Sequence, residues 1–447
     1  MRRRNRNKIA PAAVCLSIGV LTGGNAAFAS TAQHASSTTP ITVWTYWNQK
    51  WFPAITKEFD AANPGLSVKF EPIPLPPGTP VGTYPLFTAK LKTAEISHSQ
   101  PNLILEDQVS VGAWVQEGLL QQITPSELNE VGVSASQFPS LDWDVFGQGA
   151  KQYGVPIDWD PDNMMFYNKD MMAKAGIKSV PTTFAQLWAD SKLETTKKGS
   201  RYETMGFVPW EGYGLNNVGE AHMYNGTPIA TNGKVTLDSP AMVKAEAFDV
   251  QYAKAYGPVA IYSFDSSVPT GTDPFQEQKL GFMVDGDWEL SGIAANAPNF
   301  KYGKDWGITT APLPPGGTAN DYLASGWGWT IPTGAPDLSA TLKALKYMVS
   351  FPFVKSWNLD ISWLPANTAD MMKLRSALVG SYGGFAPFIQ ERLAHPNLAP
   401  EFVFSPAAEA VGTALAKVED QVTYLKETPA AALASAQQSV TSPSAAG

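Results

Sequence analysis

ITVWTYWNQKWFPAITKEFDAANPGLSVKF, residues 41–70, decides the fold. It opens on a short strand pattern, Ile41-Thr42-Val43-Trp44-Thr45. Phe52, Ile55, Phe59 and Ala62 then recur at the spacing of one helix face, and Asn63-Pro64-Gly65 stops that helix. Leu66, Val68 and Phe70 alternate, as a second strand would. Strand, helix and strand in one run form a βαβ unit, which argues for a parallel sheet.

The same alternation continues outward. Beyond a Pro-rich loop at Pro72 to Pro80, Phe87, Leu91 and Ala94 mark a helix and Leu103-Ile104-Leu105 a buried strand. Val109 to Glu117 reads as a helix that Gly118 ends. Thr183 with Gln186 predicts a capping box at the start of a helix from Phe184 to Thr195. Ser239-Pro240 opens another, with Val243, Phe248 and Tyr252 along it. Leu280 to Val284 reads as a strand, Leu342, Leu345 and Val349 line a helix, and the Ala-rich stretch after Thr428-Pro429 forms a last one. The fold class is α/β, without a repeat at any fixed period.

Length alone suggests about three domains. Only 16% of the 447 residues are charged, against about 25% in an ordinary globular chain. The net charge is −8 and no basic block follows Lys8, so clustered Lys and Arg for nucleic acid are missing. One Cys and four His exclude disulfide frameworks, Cys-based zinc sites and thiol redox pairs. No metal and no cofactor is expected.

The N-terminus reads as an export signal. Arg2, Arg3, Arg4, Arg6 and Lys8 precede an apolar run from Ile9 to Leu21, too short to span a bilayer, and Ala27-Phe28-Ala29 supplies a cleavage pattern. Residues 1–29 are thus the expected signal peptide, residues 30–40 a flexible leader, and residues 442–447 a disordered tail. Cys15 follows Ala12-Ala13-Val14 rather than a lipobox, so lipid anchoring there is not expected. The exported chain is predicted to be extracytoplasmic, in the periplasm or on the outer face of the membrane.

Catalytic signatures are sparse. GxxxxGK(S/T), HExxH and GxSxG do not occur, and Ile331 replaces the last glycine of a dinucleotide pattern begun at Gly326-Trp327-Gly328. Asp158-Trp159-Asp160-Pro161-Asp162-Asn163 begins like a calcium loop, but Asn163 and Lys169 stand where Gly and Glu belong. Asp158 with Asp160, or Asp285 with Asp287, are conceivable carboxylate pairs for glycoside chemistry.

Tryptophan sits beside turns rather than inside apolar runs. Trp44, Tyr46, Trp47 and Trp51 surround the end of the first strand. Trp159 lies in the acidic turn, Trp210 before Glu211-Gly212-Tyr213, and Trp288 after Asp285-Gly286-Asp287. Trp327 and Trp329 stand among glycines, and Trp363 before Leu364-Pro365. A flat ring next to a carboxylate suits a sugar, whose C–H face stacks while its hydroxyls bond.

These segments, in this order, resemble the extracellular solute-binding proteins of ABC sugar importers, the maltose-binding-protein-like family. The likeness runs from about Ile41 to Ser439. It is carried by Pro101-Asn102-Leu103, Tyr153-Gly154-Val155-Pro156, Phe166-Tyr167-Asn168-Lys169-Asp170, Pro181-Thr182-Thr183-Phe184, Phe282 to Trp288, Ala311-Pro312-Leu313-Pro314 and Trp357 to Pro365. Asn102 departs from it, since the family usually has Asp there.

The resemblance implies a two-lobed periplasmic-binding-protein fold of type II, with crossing hinge strands and a ligand cleft between the lobes. Lobe one would take residues 41–156 and 327–370, and lobe two residues 157–326 and 371–441. It places Trp47, Asn48, Glu106, Asp107, Asp158, Trp159, Trp210, Glu211, Tyr213, Asp287, Trp288, Trp327 and Trp363 around the ligand. The implied function is a receptor, not an enzyme. It captures a neutral mono- or oligosaccharide as a monomer and delivers it to the transmembrane subunits of an ABC permease. The alternatives are a secreted glycoside hydrolase and a receptor for a polyamine or peptide.

Overall fold

The βαβ unit forms as read. Strands Thr39–Thr45 and Leu66–Pro72 pair in parallel along their whole length. Helix Phe52–Ala62 joins them and buries Phe52, Ile55 and Phe59. Pro53 lies in its first turn, where the backbone N–H is not needed. At the far end the Asn63 side chain donates to the Phe59 carbonyl (2.9 Å) and Gly65 takes φ +92°. The computed structural model describes residues 38–46, 49–73, 84–162, 164–210, 217–317, 323–396 and 398–441. The signal peptide, most of the leader and the tail lie outside them.

Two five-stranded sheets organise these residues. The first runs, in spatial order, Leu66–Pro72, Thr39–Thr45, Leu103–Asp107, Trp327–Thr330 and Gly154–Pro156. The second runs Trp306–Thr310, Met164–Asn168, Leu280–Asp285, Arg201–Phe207 and Thr196–Lys198. Neither is purely parallel, contrary to the expectation from the βαβ unit. In the first sheet Trp327–Thr330 runs against both neighbours, and in the second Met164–Asn168 does. Each is the strand laid down just after the chain arrives from the other sheet, so it enters from the opposite edge. The short strand Thr196–Lys198 is also antiparallel, folding back on Arg201–Phe207 as a hairpin.

Each sheet anchors its own core. The first core holds Ile41, Val43, Phe59, Leu105, Trp329 and Phe353, all buried. The second sheet is covered on both faces. Phe166, Met205 and Met283 meet Met371, Leu374 and Phe388 on one side. Met165, Phe207 and Phe282 meet Phe184 and Leu187 on the other. A further cluster joins helices Pro240–Tyr256, Ala408–Thr423 and Pro429–Thr441. It reaches the first sheet's helix Gln108–Gln116 at Gly112, where a Cβ would stand 2.3 Å from the Ser405 carbonyl oxygen.

Local signals hold with one amendment. Thr183 accepts the Gln186 N–H (3.2 Å), but the Gln186 side chain bonds the N–H of Thr182 (2.8 Å), one residue earlier than a full capping box requires. Ser239 caps Pro240–Tyr256 by accepting the Met242 N–H.

Between the sheets the chain crosses along neighbouring segments, which bond one another. Ile157 N–H donates to the Trp327 carbonyl (2.8 Å), Trp159 N–H to Leu364 (3.1 Å), and Ala366 N–H to Ile157 (3.1 Å). A three-stranded sheet of Ala399–Pro400, Leu323–Ser325 and Asp160–Pro161 completes the joint. The result is the expected two-lobed α/β fold with crossing hinge strands.

Candidate functional site

The first sheet's strands deliver polar side chains at their carboxyl ends, where α/β sheets bind ligands. Strand Thr39–Thr45 is followed by Tyr46, whose phenol donates to the Glu106 carboxyl at 3.3 Å. Glu106 is fully buried at the end of Leu103–Asp107. Burial, and next to it Asp107, push its carboxyl well above the usual carboxylate range. Asp107 accepts the Val109 N–H (2.9 Å) and caps helix Gln108–Gln116.

Aromatic rings gather over this end. Tyr46 meets Trp327 edge-on at 5.1 Å. Trp327 lies near-parallel to Trp363, their rings 6.1 Å apart with a 12° interplanar angle. Trp288 follows strand Leu280–Asp285 of the second sheet, yet its half-buried ring packs against the first sheet's core. Its attitude depends on Gly286, where a Cβ would stand 2.2 Å from the indole carbons. The turn Asp285-Gly286-Asp287 therefore needs that glycine for the ring to fold over it.

A trio of carboxyls lies where the crossing segments meet. Asp158, Asp160 and Asp287 are buried beside one another. Asp158 faces the Trp327 N–H (3.3 Å) and Asp160 accepts the Leu364 N–H (2.7 Å). Desolvation and then proximity to Asp160 drive Asp158 and Asp287 well above the carboxylate range. Burial raises Asp160 to about 6, less far than the others because the carboxyls beside it and the Leu364 N–H favour its charged form. Three acids buried this close cannot all ionise, so the trio retains protons that isolated carboxyls would release. Arg392 adds a buried positive charge nearby, paired with Asp142, and donates to the Pro396 carbonyl (3.1 Å).

The structure thus brings together Glu106, Asp107, Asp158, Asp287, Trp288, Trp327 and Trp363. Trp159 lies beside them, its main-chain N–H bonded to the Leu364 carbonyl (3.1 Å) and its ring against Gly326; it is fully buried, its indole N–H without a partner among the described residues. Trp210 follows strand Arg201–Phe207 and packs against the cores on both faces of the second sheet. Trp47, Asn48, Glu211 and Tyr213 lie outside the described residues. The reading of sequence noted Tyr46 after the first strand and Asp160 in a carboxylate pair but assigned neither to the ligand, and it did not single out Ser362, whose hydroxyl donates to the Asp287 carbonyl (2.8 Å). Tyr46 had a signal in its place after the first strand, whereas the others belong to the site only through contacts distant in sequence.

The acidic turn does not gather around a point. Asp160 turns to Leu364 and Asp162 accepts from the Ser325 hydroxyl (3.1 Å). Among the described residues no group of three or more His, Cys, Asp or Glu can hold a metal ion. A cavity of about 370 Å³, lined by residues including Val133, Phe138, Phe351 and Lys373, holds none of the aromatic and carboxyl groups above. Chemically, the site offers flat apolar rings beside uncharged acids able to donate as well as accept.

A family model for bacterial extracellular solute-binding proteins matches residues 47–350. The chain is similar to a maltooligosaccharide ABC transporter solute-binding lipoprotein of Streptococcus pneumoniae serotype 4. The two are 24% identical over 364 residues, covering 76% of this chain and 79% of that protein. It is also similar to the maltodextrin-binding protein MdxE of Bacillus subtilis, 24% identical over 350 residues, 73% of this chain and 77% of the other. Among solved structures, CpMnBP1 with mannotriose bound shares the fold at a TM-score of 0.77. That match is 22% identical and covers 90% of this chain and 100% of the other.

Proposed function

The chain belongs to the family of bacterial extracellular solute-binding proteins, and on that premise we propose that it is an extracytoplasmic carbohydrate receptor. It captures a sugar or oligosaccharide between its lobes and delivers it to an ABC importer. The observation that carries this reading is the gathering of Trp288, Trp327 and Trp363 beside the acids Glu106, Asp158 and Asp287. Rings and neutral acids suit a polyhydroxylated, uncharged ligand, and the ligands named for the proteins above are oligosaccharides.

Glu106, Asp107, Asp158 and Asp287 would meet hydroxyls, while Trp288, Trp327 and Trp363 would stack. Trp210, with Trp47, Asn48, Glu211 and Tyr213, would complete the site, and Trp159 would support it from the core. Lobe one is assigned residues 41–156 and 327–370, lobe two 157–326 and 371–441. Closure about the crossing segments would exclude water and present the form that the permease subunits recognise. The receptor acts as a monomer, exported by cleavage after Ala29 and without a lipid on Cys15.

Binding without bond cleavage fits the carboxyl geometry. Asp158 and Asp160 are buried and turned to the main-chain N–H groups of Trp327 and Leu364, not set across an open space as a glycosidase's acid and nucleophile are.

A thermal-shift screen of the chain from Ser30 tests the reading, using maltotriose, mannotriose and monosaccharides, with amino acids and polyamines beside them. A saccharide at a hundredfold excess over its dissociation constant stabilises the folded state by about 2.7 kcal/mol. The expected result is a rise in Tm with a sugar that is recovered intact. A rise only with amines or amino acids would overturn the carbohydrate assignment, and degraded sugar would make the protein a hydrolase.

A further inference from the structure

Helix Glu289–Asn296 begins without a cap of its own, because its N-cap residue Trp288 gives no side-chain bond to the first turn. The missing acceptor comes from Ser362, 71 residues along the chain. Its Oγ accepts the Ser291 N–H at 3.0 Å, the bond an N-cap side chain normally takes. The same hydroxyl donates to the Asp287 carbonyl at 2.8 Å, with the Trp288 carbonyl 3.1 Å away. Ser291 replies, donating to the Trp288 carbonyl (2.9 Å) and lying 3.2 Å from the Ile361 carbonyl.

Ser362 holds this place against its own preference. It is fully buried and ends helix Phe351–Ile361 at φ +61°, a conformation in which glycine is the usual C-terminal residue. Glycine would close the helix at lower steric cost. Serine adds only a hydroxyl, and every bond of that hydroxyl goes to the loop bearing Trp288. The residue after Ser362 is Trp363, stacked near-parallel to Trp327, and Leu364 then bonds Asp160 through its N–H and Trp159 through its carbonyl. Ser362 therefore stands between two rings, Trp288 after a strand of the second sheet and Trp363 at the end of a helix.

We propose that Ser362 is a positioning residue for the ligand site: by fixing the main chain of Asp287 and Trp288 it sets the Trp288 ring relative to Trp363. This rests on the carbohydrate reading above. It adds a residue that touches no sugar yet governs the affinity for one, and it makes the crossing segment 362–366 the reference for both rings.

Ser362→Gly removes the hydroxyl and eases the left-handed turn, so the variant folds. Its unliganded Tm is expected within about 2 °C of wild type, since the two effects oppose. Calorimetric titration with maltotriose and with mannotriose is expected to show about tenfold weaker binding, the scale of coupling between residues in contact. The change in tryptophan emission on binding shrinks with it. In a Trp288→Ala background, titrated at millimolar sugar, the same substitution costs no further affinity. Equal affinity of wild type and Ser362→Gly overturns the inference, and so does an equal loss in both backgrounds, which marks a general structural role. If neither sugar binds the wild type, the carbohydrate reading fails first and this inference with it.

Discussion

At the head of strand Leu103–Asp107 one amide ties distant parts of the first lobe together. Asn102 is buried; its Oδ1 accepts the Thr42 N–H (2.9 Å) and its Nδ2 donates to the Pro336 carbonyl (2.7 Å) and the Thr341 hydroxyl (2.8 Å). An aspartate, the residue the family resemblance led one to expect, supplies the first bond but sets a carboxylate against the Pro336 carbonyl. Asn102→Asp is therefore expected to cost about 1–3 kcal/mol, the penalty for unpaired buried polar groups. The urea midpoint should fall more at pH 7 than at pH 4, where a protonated Asp regains one donor. A variant as stable as wild type at pH 7 would show that the amide's donors are dispensable. What sequence presented as a departure from type is a residue matched to its partners, but two of those partners, Pro336 and Thr341, lie more than two hundred positions away, beyond any local pattern.

Among the elements, the helices and strands near the N-terminus were legible because their signals are local: alternation, a proline in the first turn, a glycine after the last. The direction of Trp327–Thr330 and Met164–Asn168 was not, since it depends on which sheet the chain has just left. The site divides in the same way. Trp159, Trp288 and Trp327 announced themselves by standing beside turns, but sequence did not show that Trp159 and Trp327 are buried with the first core while Trp288 is only half-buried against it. The contact of Asp287 with Asp160 exists only because the crossing segments converge. That convergence makes Asp160 the element's critical acceptor. Asp160→Asn keeps an oxygen for the Leu364 N–H and turns an NH2 towards Asp158 or Asp287, which can then ionise. The expected outcome is a smaller difference in Tm between pH 5 and pH 8 than in wild type. An unchanged difference would mean that the trio does not hold protons across that range.

For the molecule as a whole, acids outnumber cations in the interior. Burial raises Asp142 and Glu419 to about 7, and Glu194 to about 9. Glu220 is driven well above the carboxylate range by burial first and then by Asp249 and Glu246, and Asp249 by burial first and then by Glu246 and Glu419. Glu71 and Asp305, each beside a lysine, are shifted the other way. In these buried groups the folded state holds its protons more tightly than the unfolded chain does. Their contribution is therefore fully present below the unfolded value near 4 and is lost as pH rises from there through about 7 for Asp142 and Glu419 and about 9 for Glu194. The melting temperature is expected to be highest near pH 4–5 and to fall steadily towards pH 8, read by calorimetry across that series. A Tm that climbs from pH 5 to pH 8 would refute it. A second property follows from the order in which the sheets are filled. Trp327–Thr330 lies between Leu103–Asp107 and Gly154–Pro156, so the ribosome makes the neighbours long before the strand that joins them. Until then the first sheet lacks the strand that joins Gly154–Pro156 to the rest of it. Pairing of such long range is slow, because the loop must close before any contact rewards it. For a protein destined for the far side of a membrane that delay is useful: its first sheet cannot close until residue 330 of 447 has been made.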